Sequence, residues 1–390
     1  MLHPELFVML VQIFQESGPR LDLGQGQQDN EAAFATSTPF AAQNTTGSKA
    51  LGITSLIIMV KARIWTLAKQ PVGIPRKEDF SCIEKEVTEC KNGDVIVEAE
   101  YLSVDPYMCF MAKKVPFGTP MIGTQVSRVI ESKNPDLPVG SYVVAQAGWC
   151  THARLPAKSF QIDNWFKRSE ILIPLEPLPR SLGLGVIGMP GNTAYFGLLE
   201  VCKPKAGETV LVNAAAGAVG STVVQIAKLK ECKVIAFAGS DEKVAWLKEL
   251  GADHAYNYKT TSVTDCLSEA APEKINCYFD NVGGKFTADA LSHMADYGRV
   301  AVCGSISNYT NDDHSDPYCD PVVKAKKLHI EGLNVNRWSD WTQGLEQMKE
   351  WVLEGKIKYR ETVYEGFEKM PEAFIGLFSG DNIGKAVVKA

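Results

Sequence analysis

Close cysteine pairs and an excess of basic residues are both missing from this sequence. Its ten cysteines are scattered, and no two of them form a C-x-x-C pair, which excludes a zinc ribbon and a redox-active dithiol. The formal net charge of the 390-residue chain is −6 and no basic stripe is present, so we expect no nucleic-acid partner. Scattered free thiols are typical of a reducing compartment, and a cytoplasmic protein is expected.

Long apolar runs and a targeting signal are also missing. The apolar stretch 51–60 is too short to span a bilayer, and no membrane partner is expected. Glu5 precedes the short apolar segment 6–14 where a signal peptide would carry a basic residue, and Arg20 alone offsets five acids before residue 48. We predict that residues 1–58 form a disordered extension, with mitochondrial targeting as an open alternative, and that the folded body begins at Met59.

The stretch from Glu208 to Lys230 joins a short β-forming run, several small residues and a helical apolar stripe. Ala215, Gly217 and Gly220 match the dinucleotide fingerprint G-x-G-x-x-G with alanine in first place. Gly217 would let the backbone approach a pyrophosphate, and Gly220 would let helix and strand pack closely. The helix N-terminus would offer free N–H groups to the phosphates. A small-residue turn without a ligand is the alternative.

Two patterns of expected secondary structure divide the body. Up to about Leu182 the chain is β-rich, with strands expected at 60–67, 94–102, 125–132 and 141–146. From about Gly183 strands and helices alternate, which is typical of a doubly wound parallel sheet. Strands are expected there at 210–213, 233–238, 254–258, 276–280, 299–303 and 328–333, and helices include 285–294 and 340–353. A last strand ends the segment 382–389, and its return to the first half is an open possibility.

The residue at the end of the second expected strand of the parallel sheet, 233–238, indicates which nucleotide is bound. NAD enzymes place Asp or Glu there to bind the ribose 2′-hydroxyl, but Ala238-Gly239-Ser240 offers no acid. Asp241 and Glu242 fit the N-cap and first turn of the next helix. A neutral loop with the Ser240 hydroxyl and Lys243 nearby suits a 2′-phosphate, so NADP (NADPH) is the expected cofactor. A solvated helix lysine is the alternative for Lys243.

Long motifs follow one another along the body: Val104–Met108, Gly188–Gly191, Thr193–Glu200, Asn213–Ser221, Ala238–Lys243, Tyr278–Gly284, Cys303–Tyr309, Trp351–Ile357 and Gly380–Lys385. In these motifs the chain from Met59 to Ala390 resembles the zinc-independent medium-chain dehydrogenase/reductases. The resemblance implies an α/β fold with a Rossmann doubly wound parallel sheet and a β-rich GroES-like catalytic domain. We expect the catalytic domain at 59–185 with 363–390, and the NADP-binding domain at 186–362.

The resemblance also assigns residues to a cofactor site. The pyrophosphate would lie on Gly217, Ala218, Val219 and Gly220, the 2′-phosphate on Lys243, and the adenosine phosphate side near Tyr258. The nicotinamide half would be lined by Asn281 and by Cys303, Gly304, Ser305, Ile306, Ser307, Asn308 and Tyr309. It would be closed by Leu333, Asn334, Val335, Asn336, Arg337, Trp338 and Ser339, together with Asn382. Tyr107 would line the substrate mouth. Asn281 as a simple turn residue and Tyr258 as a packed aromatic are the alternatives.

The chemistry expected from this site is reduction of an activated alkene. No metal is expected, because Asp105-Pro106-Tyr107 stands where zinc-dependent relatives carry a ligand, and Cys150 and His152 fit a loop better than a zinc site. Hydride transfer to the β-carbon of an enone or alkenal builds charge on the carbonyl oxygen, which requires a hydrogen-bond donor placed beforehand. Tyr309 is the candidate donor.

The resemblance implies 15-oxo-prostaglandins and lipid-derived alkenals as substrates, with leukotriene 12-hydroxy dehydrogenation as a related activity. Two residues depart from the family pattern: Cys109 replaces an arginine, which leaves recognition of acidic eicosanoids open, and Asn192 replaces a leucine. The alternatives are a quinone reductase of related fold and a non-enzymatic NADPH-binding sensor. By family habit, a homodimer is expected.

Overall fold

The computed structural model describes residues 60–161, 168–310, 318 and 321–390. The predicted N-terminal extension, residues 1–58, lies outside these ranges. Within them, no helix is long and apolar enough to cross a membrane.

The described residues form strands and helices along the whole body. The strands are β1 Lys61–Leu67, β2 Phe80–Glu86, β3 Val95–Ser103, β4 Gln125–Ser132, β5 Tyr142–Ala145, β6 His152–Leu155, β7 Ser169–Ile171, β8 Thr209–Val212, β9 Lys233–Ala238, β10 His254–Asn257, β11 Ile275–Asp280, β12 Met294–Val302, β13 His329–Gly332, β14 Glu361–Glu365 and β15 Lys385–Lys389. The α-helices are α1 Tyr107–Ala112, α2 Met189–Phe196, α3 Ala218–Leu229, α4 Asp241–Glu249, α5 Val263–Ala270, α6 Gly284–Leu291, α7 Ile306–Tyr309, α8 Pro321–Ala325, α9 Thr342–Leu353 and α10 Met370–Ser379.

The β-rich half is built around β3. This strand belongs to a seven-stranded sheet in the order β14-β15-β3-β4-β5-β7, and β6 also pairs with β3. Its residues Val95 and Val97 are fully buried and pack with Val129 and Val143 in the core of this half. β1 and β2 form a separate antiparallel pair.

The second half contains a six-stranded parallel sheet in the order β10-β9-β8-β11-β12-β13. Its central strands are continuous apolar runs, with Val210, Leu211, Val212 and Phe279 all fully buried, because helices cover both faces of such a sheet. The strand order reverses between β8 and β11. In doubly wound sheets the ligand lies outside the carboxyl ends of the strands at this switch point, and the glycine turn after β8 opens there.

The C-terminal strand β15 belongs to the sheet of the first half. It pairs antiparallel with β3 and parallel with β14. Directly before β15, the Gly384 amide donates to the carbonyl oxygen of Ala216 at 2.8 Å. The end of the chain therefore contacts the glycine turn of the parallel sheet as well as the β-rich half.

Several elements differ from the sequence expectations. β2 was not expected because its sequence mixes charged and apolar residues without alternation, and five of its seven residues are exposed. The helix expected at 285–294 ends earlier, at Leu291. Met294 is instead the first residue of β12, where its side chain is fully buried. The helix α5 was also not anticipated, although Ser262 caps it by accepting a hydrogen bond from the Asp265 amide.

Candidate active site

The turn between β8 and α3 is tightly packed, and two of its residues are glycines. A β-carbon at Gly220 would lie 2.5 Å from the Ala214 carbonyl oxygen, and one at Gly217 would lie 3.3 Å from the same atom. Only glycine fits at Gly220 without moving the backbone. Gly217 is the N-cap residue of the twelve-residue helix α3, whose first N–H groups have no partners inside the helix and attract anions.

A pair of lysines lies beside this turn, at the ends of β9 and β10. Lys243 is in the first turn of α4, and its Nζ donates to the Gly380 carbonyl oxygen at 2.7 Å. A β-carbon at Gly239 would lie 3.2 Å from the Tyr258 ring and 3.3 Å from Cε of Lys259. Burial first, and then the charge of Lys259, lower the pKa of Lys243. Two cations and a half-exposed tyrosine thus share one surface, which suits a phosphate.

Lys259 was missed by the sequence reasoning. The available signal was its place directly after Tyr258, at the end of the strand that neighbours β9. The N-cap of α4 also differs from the expectation, since Ser240, not Asp241, accepts the hydrogen bond from the Lys243 amide at 3.3 Å. Asp241 is in the first turn, where its carboxylate accepts from Asn257 at 2.8 Å.

Asn281, which follows β11, is bound to the glycine turn. Its amide N–H donates to Oδ1 of Asn213 at 2.6 Å, and its side-chain Nδ2 donates to the Asn213 carbonyl oxygen at 2.9 Å. Asn213 in turn donates to the fully buried carboxylate of Asp280 at 2.7 Å. This network fixes the two loops at the switch point of the sheet, as buried polar groups with complete partners do. The sequence did not indicate that Asn213 and Asp280 would join these two loops by hydrogen bonds.

The loop from Cys303 to Tyr309 follows β12 and lies along the Asn281 loop. The amides of Cys303 and Gly304 donate to the Asp280 carbonyl oxygen at 2.8 and 3.1 Å, and Ser307 Oγ donates to the Val282 carbonyl oxygen at 2.7 Å. Backbone and side-chain bonds therefore hold this loop at the carboxyl edge of the parallel sheet. Burial raises the pKa of the Cys303 thiol to about 12, so the thiol stays neutral.

Tyr309 closes the loop with its hydroxyl above Gly304. A β-carbon at Gly304 would lie 3.4 Å from Tyr309 Oη, and the Ser305 amide donates to the same oxygen at 3.4 Å. Burial raises the pKa of Tyr309, which keeps the phenol protonated and able to donate a hydrogen bond.

Helix α1 brings the first half of the chain to Tyr309. The Cys109 thiol is fully buried and donates to the Tyr309 carbonyl oxygen at 3.5 Å, and the Phe110 ring lies 6.5 Å from the Tyr309 ring. Cys109 therefore fills a small space against the loop, where the family pattern has an arginine. Tyr107 lies at the other end of α1, and burial together with the charge of Asp105 raises its pKa well above the usual value.

A cavity of about 220 Å³ opens beside α1, between the β-rich half and the parallel-sheet half. Asp105 and Thr124 line it on one side, and Met189, Pro190 and Trp341 line it on the other. Tyr107 and Tyr309, both within the described ranges, are not among its lining residues. The cavity has a mixed lining, since charged side chains such as Arg168 and Glu170 lie in its wall beside the apolar ones.

The segment 333–339 lies over α2. Trp338 stacks on Phe196 with ring centroids 4.9 Å apart, and the Ser339 carbonyl oxygen accepts from Arg168 at 3.4 Å. Asn382 is in the loop before β15, where its Nδ2 donates to the Gly384 carbonyl oxygen at 2.8 Å. Thus the loop that carries Asn382 contacts Lys243 through Gly380 and the glycine turn through Gly384. Trp341, which follows the segment 333–339, lines the cavity.

The side chains weighed as metal ligands have other partners. Asp105 forms a buried ion pair with Lys385 at 3.1 Å, and the same lysine donates to the Val104 carbonyl oxygen at 2.8 Å. Burial raises the pKa of Cys150 to about 11, and His152 lies 3.8 Å from Glu98. Among the described residues, no three His, Cys, Asp or Glu side chains are grouped as a metal site requires.

This arrangement of a β-rich half and a dinucleotide-type sheet defines an oxidoreductase of the medium-chain dehydrogenase/reductase class. Two family models match, described as "N-terminal domain of oxidoreductase" over residues 63–162 and "Zinc-binding dehydrogenase" over residues 218–350. CurA from Vibrio vulnificus, solved in complex with NADPH, matches with a TM-score of 0.76 and 34% identity, over 84% of this chain and 99% of that chain.

Curated relatives narrow the class further. Prostaglandin reductase 1 of Bos taurus is 52% identical over 337 residues, covering 85% of this chain and all of the relative. The NADP(+)-dependent 2-alkenal reductase of Nicotiana tabacum is 39% identical, covering 81% of this chain and 94% of the relative. The chain belongs to the prostaglandin reductase 1 family, within the zinc-independent medium-chain dehydrogenase/reductases.

Proposed function

We propose that this protein is an NADPH-dependent reductase of the α,β double bond in enones and alkenals, including 15-oxo-prostaglandins. The observation that carries the proposal is the position of the Tyr309 hydroxyl, held above Gly304 at the edge of the parallel sheet, where burial raises the pKa of the phenol. The names of the relatives, prostaglandin reductase and alkenal reductase, support the same substrate class.

The residues present fit NADPH. Gly220 lets α3 begin close to the turn after β8, since a β-carbon there would lie 2.5 Å from the Ala214 carbonyl oxygen. The first N–H groups of α3, which have no partners inside the helix, suit a pyrophosphate. In our proposal Gly217–Gly220 hold the pyrophosphate, and Lys243 with Tyr258 holds the 2′-phosphate side. The nicotinamide half is assigned to the loop 303–309, the segment 333–339 and Asn382. Asn281 positions the loops through Asn213.

Bound NADPH supplies a hydride to the β-carbon of the substrate. The negative charge that develops on the substrate carbonyl oxygen must be stabilised by a hydrogen-bond donor of the protein. We assign this role to the Tyr309 hydroxyl, because a donor fixed before the reaction costs no reorganisation. Ser305 and Cys109 fix the hydroxyl and the backbone of this residue, and Tyr107 is assigned to the substrate mouth. The α-carbon takes its proton from Tyr309 or from water.

Tyr309→Phe tests this assignment. Loss of one preorganised donor lowers turnover by about 10²–10³-fold, while the affinity for NADPH is expected to change little. NADPH consumption is measured with a panel of enones, alkenals, quinones and 15-oxo-prostaglandins, and nucleotide binding by fluorescence titration. Unchanged enone turnover in the variant would remove Tyr309 from the mechanism. A wild-type preference for quinones, or binding of NADPH without turnover of any substrate, would contradict the proposed function.

Domain division, assembly and compartment belong to the same proposal. We divide the body into 59–185 with 363–390 and 186–362, supported by the pairing of β15 with β3. A homodimer is supported by β13, which within the described ranges has a strand neighbour on one side only; light scattering would test it. A cytoplasmic site is supported by the free thiols of all described cysteines, and cell fractionation would test it.

A further inference from the structure

Four large apolar side chains are exposed close together on the β-rich half. Val72, Ile74, Phe110 and Phe117, which we call the mouth patch, are exposed by 84, 51, 38 and 65%. Scattered surface residues of this type are ordinary, but a contiguous group marks a binding surface.

The residues of the mouth patch lie on two segments that run side by side. The Gly118 amide donates to the Leu67 carbonyl oxygen at 2.8 Å, and Gln70 Nε2 donates to the Lys113 carbonyl oxygen at 3.0 Å. These bonds place the loop after β1 against the segment that follows α1. A β-carbon at Gly73 would lie 3.8 Å from the Thr310 carbonyl oxygen. The patch therefore borders the end of the loop that carries Tyr309.

The outward direction of Val72 and Ile74 is built into the loop. Pro71 and Pro75, on either side of them, are buried. Buried prolines with fixed φ angles hold the backbone, so the two apolar residues between Pro71 and Pro75 project into solvent from an anchored segment. An anchored apolar surface loses little conformational entropy on binding.

The charge around the mouth patch is opposite to that of the whole protein. Segments 68–79 and 110–119 carry five cations and two acids, a net charge of +3, in a chain of net charge −6. The cations are Lys69, Arg76, Lys77, Lys113 and Lys114. One of the acids, Asp79, is buried and bonded to the Arg76 amide at 2.8 Å. Lys114 Nζ lies 3.6 Å from the centre of the Phe110 ring, so cation and apolar surface are interleaved.

We propose that the mouth patch docks on the surface of an anionic lipid bilayer. Exposed aromatic and aliphatic side chains surrounded by lysines are the combination that binds peripheral proteins to such surfaces. The docking is peripheral and reversible, since no described helix can cross a membrane. If the proposed function holds, enones with acyl tails reach Tyr309 directly from the lipid surface. The acidic net charge of the chain concealed this local surface in the sequence.

Co-sedimentation of the full chain with vesicles tests the docking. Phosphatidylcholine vesicles containing phosphatidylserine are compared with pure phosphatidylcholine, at low and high salt. The variant Val72→Ser/Phe117→Ser is expected to bind the phosphatidylserine vesicles at least about tenfold more weakly than the wild type. Lys113→Gln/Lys114→Gln is expected to bind these vesicles about 25-fold more weakly, roughly fivefold for each cation removed. The matched control Val139→Ser/Val363→Ser removes residues exposed by 62 and 45% on other surfaces, and is expected to bind like the wild type.

Salt-sensitive binding that prefers phosphatidylserine and is lost in both mouth-patch variants supports the proposal. Absence of binding by the wild-type chain, or equal binding by the wild type, the control and the variants, overturns it. Self-association that is lost in the same variants without any vesicle binding would identify a second copy as the occupant and also overturn it. Reduction of a short, water-soluble enone is measured with the same proteins, and Val72→Ser/Phe117→Ser should retain the enone-reducing activity of the wild type. Loss of enone reduction in every protein refutes the proposed function alone.

Discussion

Replacement of Lys243 by methionine should change the affinity for NADPH but not the affinity for NADH. The ammonium group lies at the glycine turn, half-buried, within 2.7 Å of the Gly380 carbonyl oxygen. Methionine keeps the length and the apolar stem of the side chain but removes the charge. Because NADH lacks the 2′-phosphate, its binding does not depend on this charge. The substitution should therefore weaken NADPH binding alone.

The size of the effect follows from the surroundings of the two lysines. A hydrogen bond between charged groups contributes about 1.5–3 kcal/mol, so Lys243→Met should raise the Kd for NADPH about 10- to 100-fold. Lys259 is exposed, and an exposed charge contributes about 0.2–1 kcal/mol. Lys259→Met is therefore expected to raise the same Kd only about two- to fivefold.

The pH dependence of NADPH binding is an independent test of the role of Lys243. Burial and the neighbouring Lys259 lower the pKa of Lys243, and the charged form is the one that binds phosphate. The affinity for NADPH should thus fall as the pH rises through this lowered pKa, earlier than for an ordinary lysine. Removal of the Lys259 charge raises the pKa of Lys243, so Lys259→Met should shift the alkaline loss of affinity to higher pH.

Fluorescence titration of both nucleotides across pH measures these effects, with Lys285→Met as a control because that lysine is exposed in α6 and paired with Asp289. Equal losses for NADPH and NADH in Lys243→Met would mean that the lysine supports the fold or the turn and does not read the phosphate. An unchanged alkaline limb in Lys259→Met would show that the two cations do not share one site.

Two further predictions concern stability. Gly220→Ala forces a β-carbon to within 2.5 Å of a backbone oxygen and should cost about 1–3 kcal/mol in thermal or urea unfolding; an unchanged unfolding midpoint would contradict the packing described for this glycine. Lys385→Met leaves the buried Asp105 carboxylate without its ion-pair partner and should cost about 3–5 kcal/mol. The double change Asp105→Asn/Lys385→Met should recover most of that loss, and a double variant no more stable than Lys385→Met would refute the pairing.

Local features of the site could be predicted from the sequence. The glycine turn is determined by neighbouring residues, because β8, the small residues and the helix α3 follow one another directly. The place of Lys243 in the first turn of α4 could also be predicted, since the strand and the helix that follow the glycine turn have nearly fixed lengths in this fold. Its contact with a 2′-phosphate stays a prediction. The family resemblance extended the prediction to the loop 303–309.

Contacts between distant segments could not be predicted in the same way. Asp105 and Lys385 meet because β15 returns to β3, and Lys259 reaches Lys243 because β10 lies beside β9. Neither pairing leaves a periodic or spaced pattern along the chain. For Asn281 the structure shows a side chain bonded to Asn213, so its contact with a cofactor stays a prediction.

The position of the transferred hydrogen tests the central claim most directly. Reduction of an enone with NADPH carrying deuterium at C4 of the nicotinamide, followed by NMR of the product, locates the label. We predict a saturated ketone or aldehyde with deuterium on the former β-carbon, and loss of this product in Tyr309→Phe. Deuterium on the former carbonyl carbon of an allylic alcohol would contradict the proposed reaction.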